Sequence, residues 1–184
     1  SRDYLAQIHK QLGRLTHLEE ALLLLSRLDA GILPLKMEAV DVYTAVSLAA
    51  DNLQEVFEAA GLSVDIPEMG EMKILADLDW TMEALMNLFK NCAEYTPPGG
   101  RIHCACSQNP LYTEIILWDE GKGFDKEDIP HLFERFYRGK NASGNGIGIG
   151  LSLAREIIER QNGTIRAVNL PGKGAAFEIR FYSH

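Results

Sequence analysis

The chain has 184 residues, of which 46% are hydrophobic and 24% charged, and its formal net charge is −8. This composition is typical of a globular protein and allows one well-cored domain with an appendage. The negative charge argues against a nucleic-acid binder, which normally has a basic face. We find no run of about 18 apolar residues and no signal-peptide pattern, so no membrane segment is expected in this sequence. Cys92, Cys104 and Cys106 lack paired metal-ligand spacing and are interpreted as reduced packing residues of a cytosolic protein.

The first segment repeats leucine or isoleucine at steps of three or four, with polar and charged residues between them. This spacing predicts one long amphipathic helix. The helix is expected to end near Asp29-Ala30-Gly31, because glycine suits a helix C-cap, and Pro34 follows shortly after. A helix of this kind needs a packing partner, so its apolar stripe is interpreted as a seam against this chain or a second copy.

Beyond Pro34 the hydrophobic pattern alternates between strand and helix periods. Several helices combined with antiparallel hairpins indicate an α+β fold. We expect a two-layer α/β sandwich, in which a mixed sheet has its helices on one face, preceded by the long helix. Strands are predicted at 35–40, 63–66, 73–76, 101–107, 112–118, 164–169 and 175–181, and helices at 42–60, 80–95 and 149–161.

The helix predicted at 80–95 carries Asn87 and Asn91 in an otherwise apolar, helix-forming run. Asparagine is a poor choice for a helix interior because its amide competes for backbone hydrogen bonds. At positions i and i+4 the two amides lie on one face, one turn apart. Such a polar strip suits a hard metal ion or a hydrated phosphate, and the alternative is that both amides are surface residues.

A second motif, Asp119-Glu120-Gly121-Lys122-Gly123, follows the strand predicted at 112–118. Gly121 and Gly123 would let the backbone bend closely around a ligand. The Asp119 carboxylate would then be free to accept a hydrogen bond from a ring amino group. An exposed turn could have the same sequence, so this motif alone leaves both interpretations open.

Two further motifs contain arginines and glycines. In the segment 133–138, Arg135 and Arg138 flank aromatic residues and could clamp phosphate, although a surface helix end is the alternative. In the segment 144–151, glycines at alternate positions open a helix whose N-terminal N–H groups favour anions. This glycine pattern matches neither the Walker nor the Rossmann arrangement.

The order of these motifs is an asparagine helix, Asp-x-Gly-x-Gly, Phe-x-Arg-Phe-Tyr-Arg and Gly-x-Gly-x-Gly-Leu. It resembles the ATP-binding catalytic domain of sensor histidine kinases, within the superfamily shared with gyrase-type topoisomerases and the mismatch-repair and heat-shock ATPases. The resemblance covers about residues 35–181. The segment 24–31 is similar to the end of a kinase dimerisation hairpin. The implied domains are 1–33, the C-terminal helix of that hairpin without its acceptor helix, and 34–184, the ATP-binding catalytic domain.

The resemblance implies a role for each motif in binding ATP and Mg²⁺. Asn91 would hold the magnesium ion, with Asn87 beside it in the polar strip. Asp119 would bind the adenine amino group, and Tyr95 would lie against the adenine ring. Arg138 would face the terminal phosphates and completes the implied catalytic set with the two asparagines. Further nucleotide contacts are implied for Gly121, Gly123, Arg135, Lys140, Gly146, Gly148, Gly150 and Leu151.

The implied reaction is transfer of the γ-phosphoryl group to a histidine, which depends on positioning, metal and positive charge because the transition state is loose. His9 and His17 lack the sequence context of an acceptor, so they are expected to be exposed, with the acceptor upstream of Ser1. The implied partners are that histidine, a response regulator and a second copy in a homodimer. The implied location is cytoplasmic, in a sensor that can be membrane-anchored.

One departure from the family pattern concerns the phosphates. Glu94 stands where many relatives have lysine, and a carboxylate there would repel phosphate unless it turns away. Two alternatives stay open: a degenerate non-catalytic nucleotide-binding or dimerisation module, which Glu94 favours, and an anti-sigma-type serine protein kinase of the same superfamily. The hairpin-like first helix argues against the second alternative.

Overall fold

The computed structural model describes residues 1–139 and 148–184. The chain divides into two compact units, Ser1–Pro34 and Leu35–His184. The first unit is one helix, α1 (Arg2–Asp29), followed by a short tail. Gly31 ends it in the left-handed conformation (φ +69°), with hydrogen bonds from Gly31 N–H to the Leu28 carbonyl and from Ile32 N–H to the Arg27 carbonyl. This is the glycine C-cap that the sequence predicts. Assignment of α1 to a kinase hairpin stays a prediction.

The second unit combines a five-stranded sheet, a two-stranded sheet and four helices among the described residues. In chain order its elements are β1 (Glu38–Asp41), α2 (Val42–Asp51), α3 (Gln54–Ala60), β2 (Ser63–Asp65), β3 (Lys73–Ala76), α4 (Leu78–Tyr95), β4 (Arg101–Gln108), β5 (Tyr112–Asp119), a 3₁₀ turn (Ile129–His131), α5 (Gly150–Glu159), β6 (Gly163–Asn169) and β7 (Ala175–Tyr182).

The large sheet has the strand order β2-β4-β5-β7-β6. The β2–β4 pair is parallel and the other pairs are antiparallel, so the sheet is mixed. Burial alternates along β5, where Thr113, Ile115, Leu117 and Asp119 are buried. The helix α4 packs on this sheet and on α2 and α5. The predicted two-layer α+β sandwich is confirmed.

The structure differs from the sequence prediction at two places. The helix predicted at 42–60 is broken into α2 and α3, with Leu53 between them outside helical geometry (φ −107°, ψ 12°). The break buries both Leu53 and Phe57, and the Phe57 ring packs edge-on against Phe89 with 6.0 Å between centroids. The strand predicted at 35–40 begins only at Glu38, because it pairs with β3 and that strand ends opposite Glu38, at Ala76.

A buried side chain, Gln161, joins the end of α5 to the start of α4. Its Oε1 accepts a hydrogen bond from the Asp77 N–H at 2.6 Å, and its Nε2 donates to the Thr81 hydroxyl at 3.2 Å. Asp77 is the N-cap of α4: its Oδ1 accepts from the Trp80 N–H at 3.0 Å, and its Oδ2 accepts from the Lys36 N–H at 2.7 Å. These bonds satisfy donors that the helix start would otherwise leave unpaired.

We therefore expect Gln161→Ala to lower the free energy of unfolding by about 2–3 kcal/mol, because it removes buried hydrogen bonds and leaves a cavity. Urea denaturation followed by circular dichroism measures this change. The matched control is Gln54→Ala on α3, where the side chain is exposed and donates a hydrogen bond to Glu58 one turn further along the same helix. It should change stability by less than about 0.5 kcal/mol. Equal effects of the two substitutions would show that the buried bonds contribute nothing.

Candidate functional site

The asparagine face of α4 contains a buried oxygen that the protein does not use. The opposite side of α4 belongs to the core, where Leu85, Phe89 and Cys92 are buried. The Asn91 Oδ1 atom is buried and has no hydrogen-bond partner among the described residues. A buried amide oxygen in that position carries a desolvation cost that a cation or a donor would relieve. Its chemistry fits a hard metal ion, which prefers oxygen ligands.

Asn87 lies one turn earlier and adjoins the start of α5. Its Nδ2 donates to the Glu83 carbonyl at 2.9 Å, which directs the amide along its own helix. Its Oδ1 faces Gly150, since a Cβ added there would lie 3.0 Å from that oxygen. The structure thus brings Asn87 and Gly150 together, and Leu151 follows in the first turn of α5.

Asp119 ends β5 and is 1% exposed. Its Oδ1 accepts hydrogen bonds from the N–H groups of Gly121 (2.8 Å) and Ala175 (3.2 Å). Its Oδ2 is buried and has no partner in the described part of the chain. Burial raises the pKa of the Asp119 carboxyl, and the two N–H groups oppose that rise. One carboxylate oxygen is therefore fixed by the backbone, and the other is available to a ligand donor.

Glycines surround Asp119 because other residues would not fit. A Cβ at Gly121 would lie 2.7 Å from the Tyr95 carbonyl oxygen. A Cβ at Gly174 would lie 2.2 Å from Asp119 Oδ1, and the Gly174 N–H donates to the Asp119 carbonyl at 3.0 Å. The sequence alone did not single out Gly174, because it lies in a glycine-containing segment that is typical of the turn between two strands. The signal that could have found it is a second glycine two residues after Gly172.

Asn169 is a second residue that sequence reasoning missed. Its Oδ1 accepts from the Phe124 N–H at 2.7 Å, and its Nδ2 donates to the Phe124 carbonyl at 2.8 Å. The same amide lies against Gly123, where φ is +87° and an added Cβ would lie 2.7 Å from Asn169 Oδ1. Asn169 therefore anchors the loop after Asp119 to the end of β6.

Tyr95 lies between this loop and the segment 137–139. Its ring packs edge-on against Phe124, with 5.9 Å between centroids. A Cβ at Gly139 would lie 3.0 Å from the Tyr95 hydroxyl and 2.9 Å from Asp128 Oδ2. Burial raises the pKa of Tyr95, and the negative charges of Glu94 and Asp128 act in the same direction. Tyr95 is thus close to both Asp119 and the arginine segment.

The arginine segment is a series of turns and not a helix end. Phe136 has a left-handed backbone (φ +67°), and its N–H donates to the Gly148 carbonyl at 2.7 Å. Gly148 is also left-handed (φ +80°), and an added Cβ would lie 2.7 Å from the carbonyl carbon of Phe136. The Tyr137 hydroxyl donates to Asp128 Oδ1 at 2.5 Å, which raises the pKa of Tyr137 to about 12.

Arg138 forms an ion pair with Glu94. The Nη2–Oε1 distance is 3.1 Å, and 31% and 23% of the two side chains are exposed. Burial raises the pKa of the Glu94 carboxyl, and the Arg138 guanidinium lowers it. Arg135, also predicted to contact phosphate, is an exposed turn residue. Lys140 and Gly146 lie outside the described residues.

The profile of the histidine kinase-, DNA gyrase B-, and HSP90-like ATPases matches residues 76–183, and the chain belongs to this family. Its domain is the ATP-binding catalytic domain of the sensor histidine kinase type, as the motif order predicts. The signal transduction histidine-protein kinase BaeS of Escherichia coli (strain K12) is 29% identical over 95% of this chain and 38% of its own length. The sensor protein SphS of Synechococcus elongatus is 34% identical over 89% of this chain and 42% of its own length.

Two solved structures share the fold. Acinetobacter baumannii histidine kinase AdeS has a TM-score of 0.80 at 24% identity, covering 97% of this chain and 83% of that one. The mycobacterial sensor histidine kinase MprB has a TM-score of 0.69 at 24% identity, covering 79% and 97%. The chain thus spans about two fifths of the curated relatives named above. Within 1–139 and 148–184, no helix combines the length and apolar character needed to cross a bilayer.

The raised pKa of Asp119 predicts a pH-dependent difference between the parent chain and Asp119→Asn. As pH rises above about 4, an unfolded aspartate loses its proton before the folded one does, so the parent loses stability. The asparagine variant has no such loss. We expect its free energy of unfolding, relative to that of the parent, to increase between about pH 4 and pH 7. Urea denaturation at several pH values measures this difference, and a constant difference would contradict the prediction.

Proposed function

We propose that this chain binds Mg-ATP and supplies the γ-phosphoryl group to a histidine in the full-length protein. The observation that carries the proposal is the pair of buried oxygens without partners among the described residues, Asn91 Oδ1 and Asp119 Oδ2. Membership of an ATPase family supports the same conclusion. One protein of similar fold, ShkA, has a full-length structure solved in complex with AMPPNP, and its TM-score to this chain is 0.81 at 20% identity.

In this proposal the adenine ring binds at Asp119. The Oδ2 atom accepts a hydrogen bond from the exocyclic amino group, while Oδ1 stays bonded to the backbone. Gly121 and Gly123 allow the backbone to approach the base closely. Tyr95 lies against the ring, next to the edge of Phe124.

The phosphates and Mg²⁺ bind near Asn91. Its Oδ1 is a suitable ligand for Mg²⁺, which supplies charge neutralisation at the phosphates when bound. No cluster of three or more histidine, cysteine or carboxylate ligands occurs in the part of the chain that the structure describes. Asn91 would hold the ion through its Oδ1 atom, with Asn87 beside it one turn earlier on α4.

The other phosphate contacts come from the arginine and glycine motifs. Arg138 faces the terminal phosphates, and the N-terminal N–H groups of α5 favour anions. Catalysis then depends on holding the γ-phosphate toward the acceptor, since phosphoryl transfer has a loose transition state. Additional proposed nucleotide contacts are Arg135, Lys140, Gly146, Gly148, Gly150 and Leu151.

The remaining partners belong to the whole protein. Apolar residues along α1 are exposed, including Leu5, Leu12 and Leu15, and an exposed stripe of this kind supports pairing of two copies. His9 and His17 are also exposed on this helix. We propose a cytoplasmic homodimer that phosphorylates a histidine outside this sequence and passes the phosphoryl group to a response regulator.

Titration calorimetry with a non-hydrolysable ATP analogue tests nucleotide binding. We expect Mg²⁺-dependent binding by the parent and at least about tenfold weaker binding by Asn91→Ala, because the cation loses a protein ligand. The matched control is Asn52→Ala at the end of α2, which removes an exposed amide. It should bind like the parent. No binding by the parent, or equal binding by parent and Asn91→Ala, would overturn the proposal and favour a non-catalytic module.

Incubation with γ-labelled ATP tests the position of the acceptor. We expect no label on this chain alone, because neither histidine in α1 has an acceptor context. Label should appear on an added hairpin fragment that carries the upstream histidine. Label on His9 or His17, detected by peptide mapping and lost in His9→Gln or His17→Gln, would show that the acceptor lies within this sequence.

A further inference from the structure

The ion pair between Glu94 and Arg138 places a carboxylate on the arginine that would contact phosphate. Glu94 follows Asn91 by three residues on α4, so both side chains lie on the same side of the helix. We propose that Glu94 is a specificity-determining residue, an internal counter-ion that the phosphates of ATP must displace from Arg138. This inference rests on the proposed function and adds to it a reason why phosphate number sets affinity.

The pair is partly removed from water. The exposed fractions of 23% for Glu94 and 31% for Arg138 make it stronger than an exposed surface pair. Burial of Glu94 favours the neutral acid, and the guanidinium counteracts this by favouring the carboxylate. Removing the arginine from Glu94 therefore leaves a half-buried carboxylate with less compensation, and this cost opposes phosphate binding.

Neighbouring contacts hold the chain immediately before Arg138. The Phe136 N–H bonds to the Gly148 carbonyl, and the Tyr137 hydroxyl bonds to Asp128. Gly139 fits closely against Asp128 and the Tyr95 hydroxyl. With the backbone anchored in this way, the long arginine side chain can exchange one anionic partner for another by changing rotamers.

Charge and geometry decide whether Arg138 binds the Glu94 carboxylate or a nucleotide phosphate. A triphosphate with Mg²⁺ offers several oxygens to a planar guanidinium, which binds phosphate well in a bidentate manner. Glu94 also repels any phosphate that approaches Arg138. Asp128 adds a second negative charge nearby, since both carboxylates act on the Tyr95 hydroxyl. Both effects of Glu94 weaken phosphate binding and leave adenine binding unchanged. Glu94 should therefore affect ATP more than ADP and should not affect adenosine.

The test uses calorimetry on the full 184-residue chain with three ligands: the ATP analogue with Mg²⁺, ADP with Mg²⁺, and adenosine. Glu94→Gln keeps the size of the side chain and removes its charge. We expect it to raise affinity for the ATP analogue by about 5- to 20-fold, to raise affinity for ADP less, and to change adenosine binding by less than about twofold. Glu55→Gln removes one charge from the exposed side of α3 and should bind like the parent.

A double-mutant cycle identifies Arg138 as the route of this effect. Arg138→Gln should reduce affinity for the ATP analogue more in the Glu94→Gln background than in the parent, because only there is the ion pair with Glu94 already removed. Thermal unfolding verifies that each variant is folded. If Glu94→Gln does not fold, Glu94→Asp should raise affinity by a smaller factor, since its shorter side chain reaches Arg138 poorly.

The outcomes separate this inference from the proposed function. If the parent binds the ATP analogue and removal of the Glu94 charge leaves affinity unchanged or lower, the inference is wrong and the nucleotide site stands. In that case Glu94 is only a tether for the arginine segment. If neither the parent nor any variant binds the ATP analogue, the proposed function fails, and the inference fails with it.

Discussion

The placement of the candidate nucleotide site depends on the hydrogen bonds of one buried side chain, the amide of Gln161. It holds the end of α5 against the N-cap of α4 through the Asp77 N–H and the Thr81 hydroxyl. These two helices carry the asparagine strip and the glycines that adjoin it. Because α4 and α5 run from this common point, a shift there would change the spacing between Asn87 and Gly150. A polar group with complete hydrogen bonding can therefore fix the geometry of a site distant in sequence.

Two buried oxygens, Asn91 Oδ1 and Asp119 Oδ2, differ from the Gln161 amide because they lack hydrogen-bond partners among the described residues. Each carries a desolvation cost with no compensating bond among the described residues. In Asp119 the other carboxylate oxygen is well satisfied, since Oδ1 accepts hydrogen bonds from two backbone N–H groups. The carboxylate is thus held rigidly, with its second oxygen directed away from backbone donors. Binding of a donor or cation would recover part of the cost, so the fold is preorganised for a ligand.

The features predictable from sequence were local ones. Periodicity identified α4 and α5, and the glycine spacing predicted a close bend of the backbone after β5. The structure adds that Gly121 lies against the Tyr95 carbonyl there. The break between α2 and α3 was not predictable, because it is the burial of Leu53 and Phe57, the latter against Phe89 of α4, that overrides helix propensity. Gly174 and Asn169 were missed for a similar reason, since strand register brings them to Asp119 and Phe124 from the far end of the chain.

The Glu94–Arg138 pair also required the fold, and it changes how the net charge should be interpreted. A chain with formal charge −8 offers little long-range attraction to a polyanion. At physiological ionic strength, charges beyond about 8 Å are largely screened, so the groups beside the phosphates decide affinity. Glu94 already neutralises part of the positive charge of Arg138, the arginine proposed to face the phosphates. Under the proposed function, affinity for a triphosphate would then come from contacts at short range: the metal ion, the amide oxygen of Asn91, backbone N–H groups, and Arg138 once the phosphates displace Glu94. Such a site would distinguish nucleotides by how many phosphates reach these contacts, and not by long-range attraction to the net charge of the chain.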